Sequence, residues 1–167
     1  MLWWKPVRMR RIFSMSFSID DPAMMREIIM DNYTYPRNFK ETQDPSYITI
    51  HMDSASCIDD IYIQVKIVNG VVEDCLWHGK GCAISTASTS IMSEMIKGKP
   101  MAEANQMMDE FNKMLAGQPF DGETLGEAVC FMNVNRQPSR ITCANISWRG
   151  LKKAFSEAEK KEGTPHE

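Results

Sequence analysis

Two rhythms of apolar and polar residues divide this chain. Between residues 46 and 78 the period is two. Ile48, Ile50 and Met52 share one face of 46–53, and Ile61, Ile63, Val65 and Ile67 oppose Tyr62, Gln64 and Lys66 over 61–68. That alternation predicts half-buried strands. Asn69-Gly70 follows, a pair suited to a two-residue hairpin turn, and 71–78 returns as a third strand. The order predicts an antiparallel meander with one face needing cover.

Elsewhere the pattern is helical. Residues 22–33 carry an apolar stripe of Met24, Met25, Ile28 and Ile29. Pro22 suits a first helical position, Asp20 or Asp21 can cap it, and Pro36-Arg37-Asn38 ends it. Further helices are expected over 82–97 (stopped at Gly98, with Pro100 beyond), over 100–116 (stopped at Gly117), around 124–134, and from near Pro138 to about Lys160. Helices following a small antiparallel sheet predict an α+β fold, a three-stranded antiparallel sheet packed against a layer of helices. The 14 methionines read as core filler, the usual role of Met at helical spacing.

A length of 167 residues suits one domain, expected over 22–160. Residues 1–21 read as a basic tail, and 161–167 as a flexible C-terminal tail. The first fourteen residues carry Lys5, Arg8, Arg10 and Arg11 and no acid. The arginines interrupt any apolar stretch of the kind a secretory signal needs. Met15 offers an alternative start, which would make residues 1–14 foreign to the domain. The net charge of −3 becomes −7 without those four cations. This balance speaks against a nucleic-acid binder, and no apolar run approaches the length of a membrane span.

Five cysteines, an odd number without a secretion signal, favour metal or sulfur chemistry over a disulfide framework. Cys57 lies in the loop between the first two strands, two residues before Asp59. Cys82 follows the third strand in Gly79-Lys80-Gly81-Cys82, and Cys143 lies early in the last helix. The hairpin between Cys57 and Cys82 brings the start of strand two to the end of strand three, so both cysteines belong to one end of the sheet. Gly79 and Gly81 let the backbone turn sharply. Cys82 opens a helix, whose N-terminal amides suit a sulfur that carries negative charge. Ile141, Ala144, Trp148, Leu151 and Phe155 form the stripe of the last helix, and Cys143 falls off it, which weakens its reading as a small buried hydrophobe. Cys75 and Cys130 sit among apolar residues and read as inert core. Asp59 beside three thiolates completes a set of three sulfurs and one oxygen, suited to tetrahedral zinc, while an iron–sulfur cluster also takes thiolates. No CxxC pair supports a zinc finger. His51 lies on the strand face opposite Ile50 and Met52, and His78 is a lesser candidate for tuning the site.

Three segments of this sequence resemble the U-type iron–sulfur assembly family, which includes the N-terminal domain of NifU, IscU and SufU. They are Tyr33-x-x-Pro36-Arg37-Asn38, Gly79-x-Gly81-Cys82-Ala83-Ile84-Ser85-x-Ala87-Ser88, and Arg140-Ile141-x-Cys143-Ala144-x-Ile146-Ser147-Trp148. The second is the most specific, and the resemblance runs from about residue 24 to 156. Thr142 stands where IscU-like members have histidine, and Asn135-Arg136-Gln137-Pro138-Ser139 replaces their Leu-Pro-Pro-Val-Lys segment. The long gap between Cys82 and Cys143 fits the SufU-like insertion. The resemblance implies a SufE/NifU-like fold and a cytoplasmic, zinc-bearing acceptor of sulfur from a cysteine desulfurase, serving downstream iron–sulfur assembly proteins. It implies metal ligation by Cys57, Asp59, Cys82 and Cys143, with Cys57 as the sulfur acceptor and no independent catalysis apart from the desulfurase.

Ile58 departs from the family's Cys-Gly-Asp motif. A β-branched residue is excluded from left-handed backbone that glycine adopts freely, so this loop takes another conformation or the site is altered. Two readings share the same ligands, a zinc-dependent sulfur acceptor and a scaffold for a transient [2Fe–2S] cluster on iron. A structural zinc module usually builds closed sites from close CxxC pairs. A cysteine-nucleophile enzyme needs a positioned base, and neither His51 nor His78 has an evident orienting partner.

Overall fold

The computed structural model describes residues 21–55 and 58–163. Helix α1 spans Pro22–Thr34, with Pro22 at its start. Asp21 caps it, its Oδ1 accepting from the amides of Ala23 and Met24 at 3.1 and 3.2 Å. Strands β1 (Ile48–Asp53), β2 (Asp60–Val68) and β3 (Val71–Lys80) form one antiparallel sheet in the order β1-β2-β3. Helices α2 (Ala83–Ile96), α3 (Met101–Leu115), α4 (Gly122–Leu125) and α5 (Pro138–Gly163) follow, with a 3-10 stretch Gly126–Arg136 before α5. The α+β arrangement is the one expected. The N-terminal tail through residue 20, Cys57 and residues 164–167 lie outside the described residues.

Asn69 and Gly70, both at positive φ (52° and 75°), join β2 to β3, as a tight primed turn requires. Alternation sets the core face of β2, and on β3 a register shift opposite Lys66/Ile67 lets Val72 and Cys75, three positions apart, both reach the core. Ile61, Ile63 and Val65 are fully inside, with Ile50, Met52, Val72, Cys75 and Trp77 beside them. The α5 backbone approaches this face closely, since a Cβ on Gly150 would lie 2.8 Å from Ile63 Cδ1 and Met52 Cγ. Met25, Met92, Met107, Met108 and Met114 are buried in the same core, in keeping with the filler role.

Three elements differ from expectation. Gln64, assigned to the polar face, is buried because the chain before β1 folds over it. Its side-chain amide exchanges hydrogen bonds with the backbone of Thr42 at 2.9 Å each. The helix expected around 124–134 is instead the short α4 and the 3-10 stretch, parted at Gly126, whose φ of 52° interrupts the α-helical backbone. Helix α5 continues to Gly163, past the expected end near Lys160.

Candidate metal centre

The register of the sheet assembles the site. Asp60 pairs with Lys80, so Asp59, just before β2, meets Gly81 and Cys82, just after β3. The β1–β2 loop is closed by the Ser54 amide donating to the Asp59 carbonyl at 3.2 Å. Gly79 makes the approach possible. Its φ is +122°, and a Cβ there would stand 2.2 Å from the Asp60 carbonyl oxygen. Gly81 has a different role from the sharp turn expected of it. It lies outside the left-handed region, and its missing side chain leaves room for Ser85, whose Oγ would be 2.3 Å from a Cβ.

Cys82 is the N-cap of α2, and its Sγ accepts from the Ser85 amide at 3.4 Å. Asp59 is buried at 2% exposure, an unusual position for a carboxylate. Its Oδ1 accepts from the Cys82 amide at 3.1 Å and from the Ser85 hydroxyl at 2.6 Å. Its Oδ2 is buried, and no donor among the described residues reaches it. Cys143 comes from the first turns of α5. That helix is fastened to α2 by Ser88, whose hydroxyl donates to the Ala144 carbonyl at 2.6 Å and accepts from the Trp148 indole at 3.0 Å.

A carboxylate oxygen of Asp59 and the sulfurs of Cys82 and Cys143 thus lie within 4.8 Å of one another. Two sulfurs and a carboxylate oxygen are a donor set that zinc accepts, and thiolates also suit iron–sulfur chemistry. The residues present therefore fit a metal. Among the described residues this is the one group of three or more such side chains close enough to share an ion. Cys57, the fourth expected ligand, is outside the described residues, two positions along the chain from Asp59. Its neighbour Ile58 is 70% exposed.

Chain similarity points the same way as this geometry. Residues 24–163 match the family described as NifU-like N terminal domain. The chain belongs to that family. The Bacillus subtilis (strain 168) protein named zinc-dependent sulfurtransferase SufU is 36% identical over 146 residues, covering 87% of this chain and 98% of the relative. The Thermotoga maritima iron–sulfur cluster assembly scaffold protein IscU is 33% identical over 132 residues, covering 79% and 92%. Among solved structures, a putative iron–sulfur cluster assembly scaffold protein for the SUF system from Fervidobacterium islandicum superposes with a TM-score of 0.72 at 31% identity, covering 75% of this chain and 92% of that one. A NifU-like N-terminal protein from Brucella abortus, at 20% identity, shares the fold with a TM-score of 0.76 over 86% and 99%.

For a NifU-like chain the remaining cysteines and histidines are readily sorted. Cys75 and Cys130 are buried core residues, and burial pushes the Cys75 thiol up to about 12 and the Cys130 thiol well above its ordinary value. Both are therefore poor nucleophiles, as expected. Cys143 is also buried, at 5% exposure, despite lying off the apolar stripe of its helix. The wheel was too narrow a guide, because α5 packs on both the sheet and α2. His78 does not join the site. Its ring stacks on Tyr62 on the sheet face opposite Trp77, with its Nε2 4.0 Å from Glu41. His51 stacks on the other side of Tyr62 and pairs with Asp60.

Sequence reasoning missed the hydroxyls of α2. Ser85, Thr86, Ser88, Thr89, Ser90 and Ser93 are all buried. Each is a weak helix former that prefers a hydrogen-bonded setting, so such a run in one helix is a legible sign of a buried polar seam.

Proposed function

We propose that this chain is an iron–sulfur cluster assembly protein that accepts sulfur from a cysteine desulfurase in the cytoplasm. In this reading it holds zinc with Cys57, Asp59, Cys82 and Cys143, and passes sulfur to downstream assembly proteins. The observation that carries the reading is a carboxylate oxygen of Asp59 within 4.8 Å of two cysteine sulfurs, on a buried residue whose Oδ2 meets no donor among the described residues. An unpartnered carboxylate oxygen in the interior costs stability unless something positive meets it. The similarity to a protein named a zinc-dependent sulfurtransferase supports zinc as that partner.

Bound zinc keeps its cysteine ligands as thiolates. The chain's own residues then divide the work. Cys82 and Cys143 are set by the α2 N-terminus and by the joint between α2 and α5. Asp59 is held by two donors. Cys57, two positions before Asp59 in the sequence, is the sulfur acceptor. Its thiolate attacks the outer sulfur of the desulfurase's cysteine persulfide, the persulfide S–S bond breaks, and the desulfurase cysteine leaves as thiolate. The new S–S bond resides on Cys57, with no net oxidation or reduction.

A scaffold for a transient [2Fe–2S] cluster on the same ligands is the second reading, favoured by the similarity to a protein named a scaffold. Anaerobic metal analysis with absorption spectroscopy separates the two. Colourless protein with one zinc, and a one-sulfur mass gain on the Cys57 peptide after incubation with a desulfurase and cysteine, is the expected result. Cys57→Ala should abolish stimulation of the desulfurase, and Cys130→Ala should leave it intact. Charge-transfer bands from bound iron and sulfide, with no persulfide on any cysteine, would replace sulfur transfer by the scaffold reading.

A further inference from the structure

Ser85 is fully buried, one turn into α2, and it touches two of the three described donors. Its hydroxyl donates to Asp59 Oδ1 at 2.6 Å and its amide donates to Cys82 Sγ at 3.4 Å. The hydroxyl also lies 3.2 Å from the Cys82 carbonyl, but its single proton cannot serve two acceptors, and the short contact to a carboxylate is the stronger bond. With the Cys82 amide also on Oδ1, that oxygen is engaged twice while Oδ2 has no donor among the described residues. The asymmetry is built in from outside as well, since any side chain on Gly81 would crowd the Ser85 hydroxyl.

We propose that Ser85 is the positioning residue of the metal centre. By occupying Asp59 Oδ1 it presents Oδ2 alone to the ion, so the aspartate ligates through one oxygen. This rests on the reading of Asp59, Cys82 and Cys143 as metal ligands and adds what selects the ligating atom. Without the Ser85 hydroxyl, Oδ1 keeps only the longer bond from the Cys82 amide and is freer to close on zinc beside Oδ2. The engaged Oδ1 keeps the carboxylate from filling a position that a cysteine vacates. Outer partners that orient ligands typically change metal affinity by roughly 10- to 100-fold when removed.

The test is a double-mutant cycle on zinc affinity, measured by competition with a chromogenic chelator on the full chain. Wild type, Ser85→Ala, Asp59→Ala and the double variant are compared. Ser85→Ala should weaken zinc by roughly 10- to 100-fold in the wild-type background, and by nothing in the Asp59→Ala background. In the cobalt-substituted protein, Ser85→Ala should weaken the ligand-field absorption, as a five-coordinate ion does, while thiolate charge-transfer intensity stays constant. If apo Ser85→Ala does not unfold cooperatively, Gly81→Ala provides the same test, because it displaces the hydroxyl without removing it. Equal losses in both backgrounds, or no loss in either, overturn the proposal. Those results leave the metal-site reading standing. A wild-type chain that binds no zinc would remove both at the first measurement.

Discussion

The two ends of the sheet are both closed by turns, and they use glycine for opposite reasons. At the hairpin end, Gly70 needs only its backbone freedom. Its φ is +75°, and a Cβ there would meet nothing within 4 Å. At the site end, Gly79 combines a φ of +122° with a Cβ position 2.2 Å from a carbonyl oxygen, and Gly81 yields its space to Ser85. The hairpin end is therefore tolerant and the site end is packed against its own backbone. Packing of that kind fixes donor atoms relative to one another, which a metal centre needs and a hairpin turn does not.

Gly79→Ala gives the largest contrast. Left-handed strain and a backbone clash together should destabilise the apo-protein by about 4 kcal/mol, read as a lowered urea midpoint at constant slope. An effect no larger than that of Gly70→Ala would break the comparison. Ser88→Ala comes next. It strands the Trp148 indole and removes a donor from the Ala144 carbonyl, both buried, and should cost about 2 kcal/mol by the same measurement. The joint between α2 and α5 would prove less important to the site end if the loss were within error. Gly70→Ala is the smallest, about 1 kcal/mol from the left-handed turn alone, with zinc occupancy unchanged.

Much of this was legible in the sequence, and the reasons are local. The alternation of Ile61, Ile63 and Val65 reports one buried face directly, and Asn69-Gly70 fixes the turn, while the register beyond Lys66 is shifted by one residue at a bulge that the turn does not announce. The hairpin alone brings the start of β2, with Asp59 just before it, to the same end of the sheet as Cys82. What escaped depends on residues far apart in the chain. Gln64 is buried by a segment more than twenty positions earlier. The burial of Cys143 depends on α5 packing against two layers at once. Ser85 looks like an ordinary helical serine until Asp59 is placed against it from 26 positions away. The break at Gly126 was visible as a residue but not as a conformation, since glycine tolerates a helix interior as well as ending one.

The three described donors come from positions 59, 82 and 143, so the last is delivered by the final helix. During synthesis, domains fold as units while the chain emerges from its N-terminus. A chain translated only through the sheet and α2 has Asp59 and Cys82 but no Cys143, and no joint to Trp148. On the proposed ligand set, the site is therefore complete only after α5 has emerged. A product truncated before α5 carries Asp59 and Cys82 without Cys143, so its donor set is incomplete.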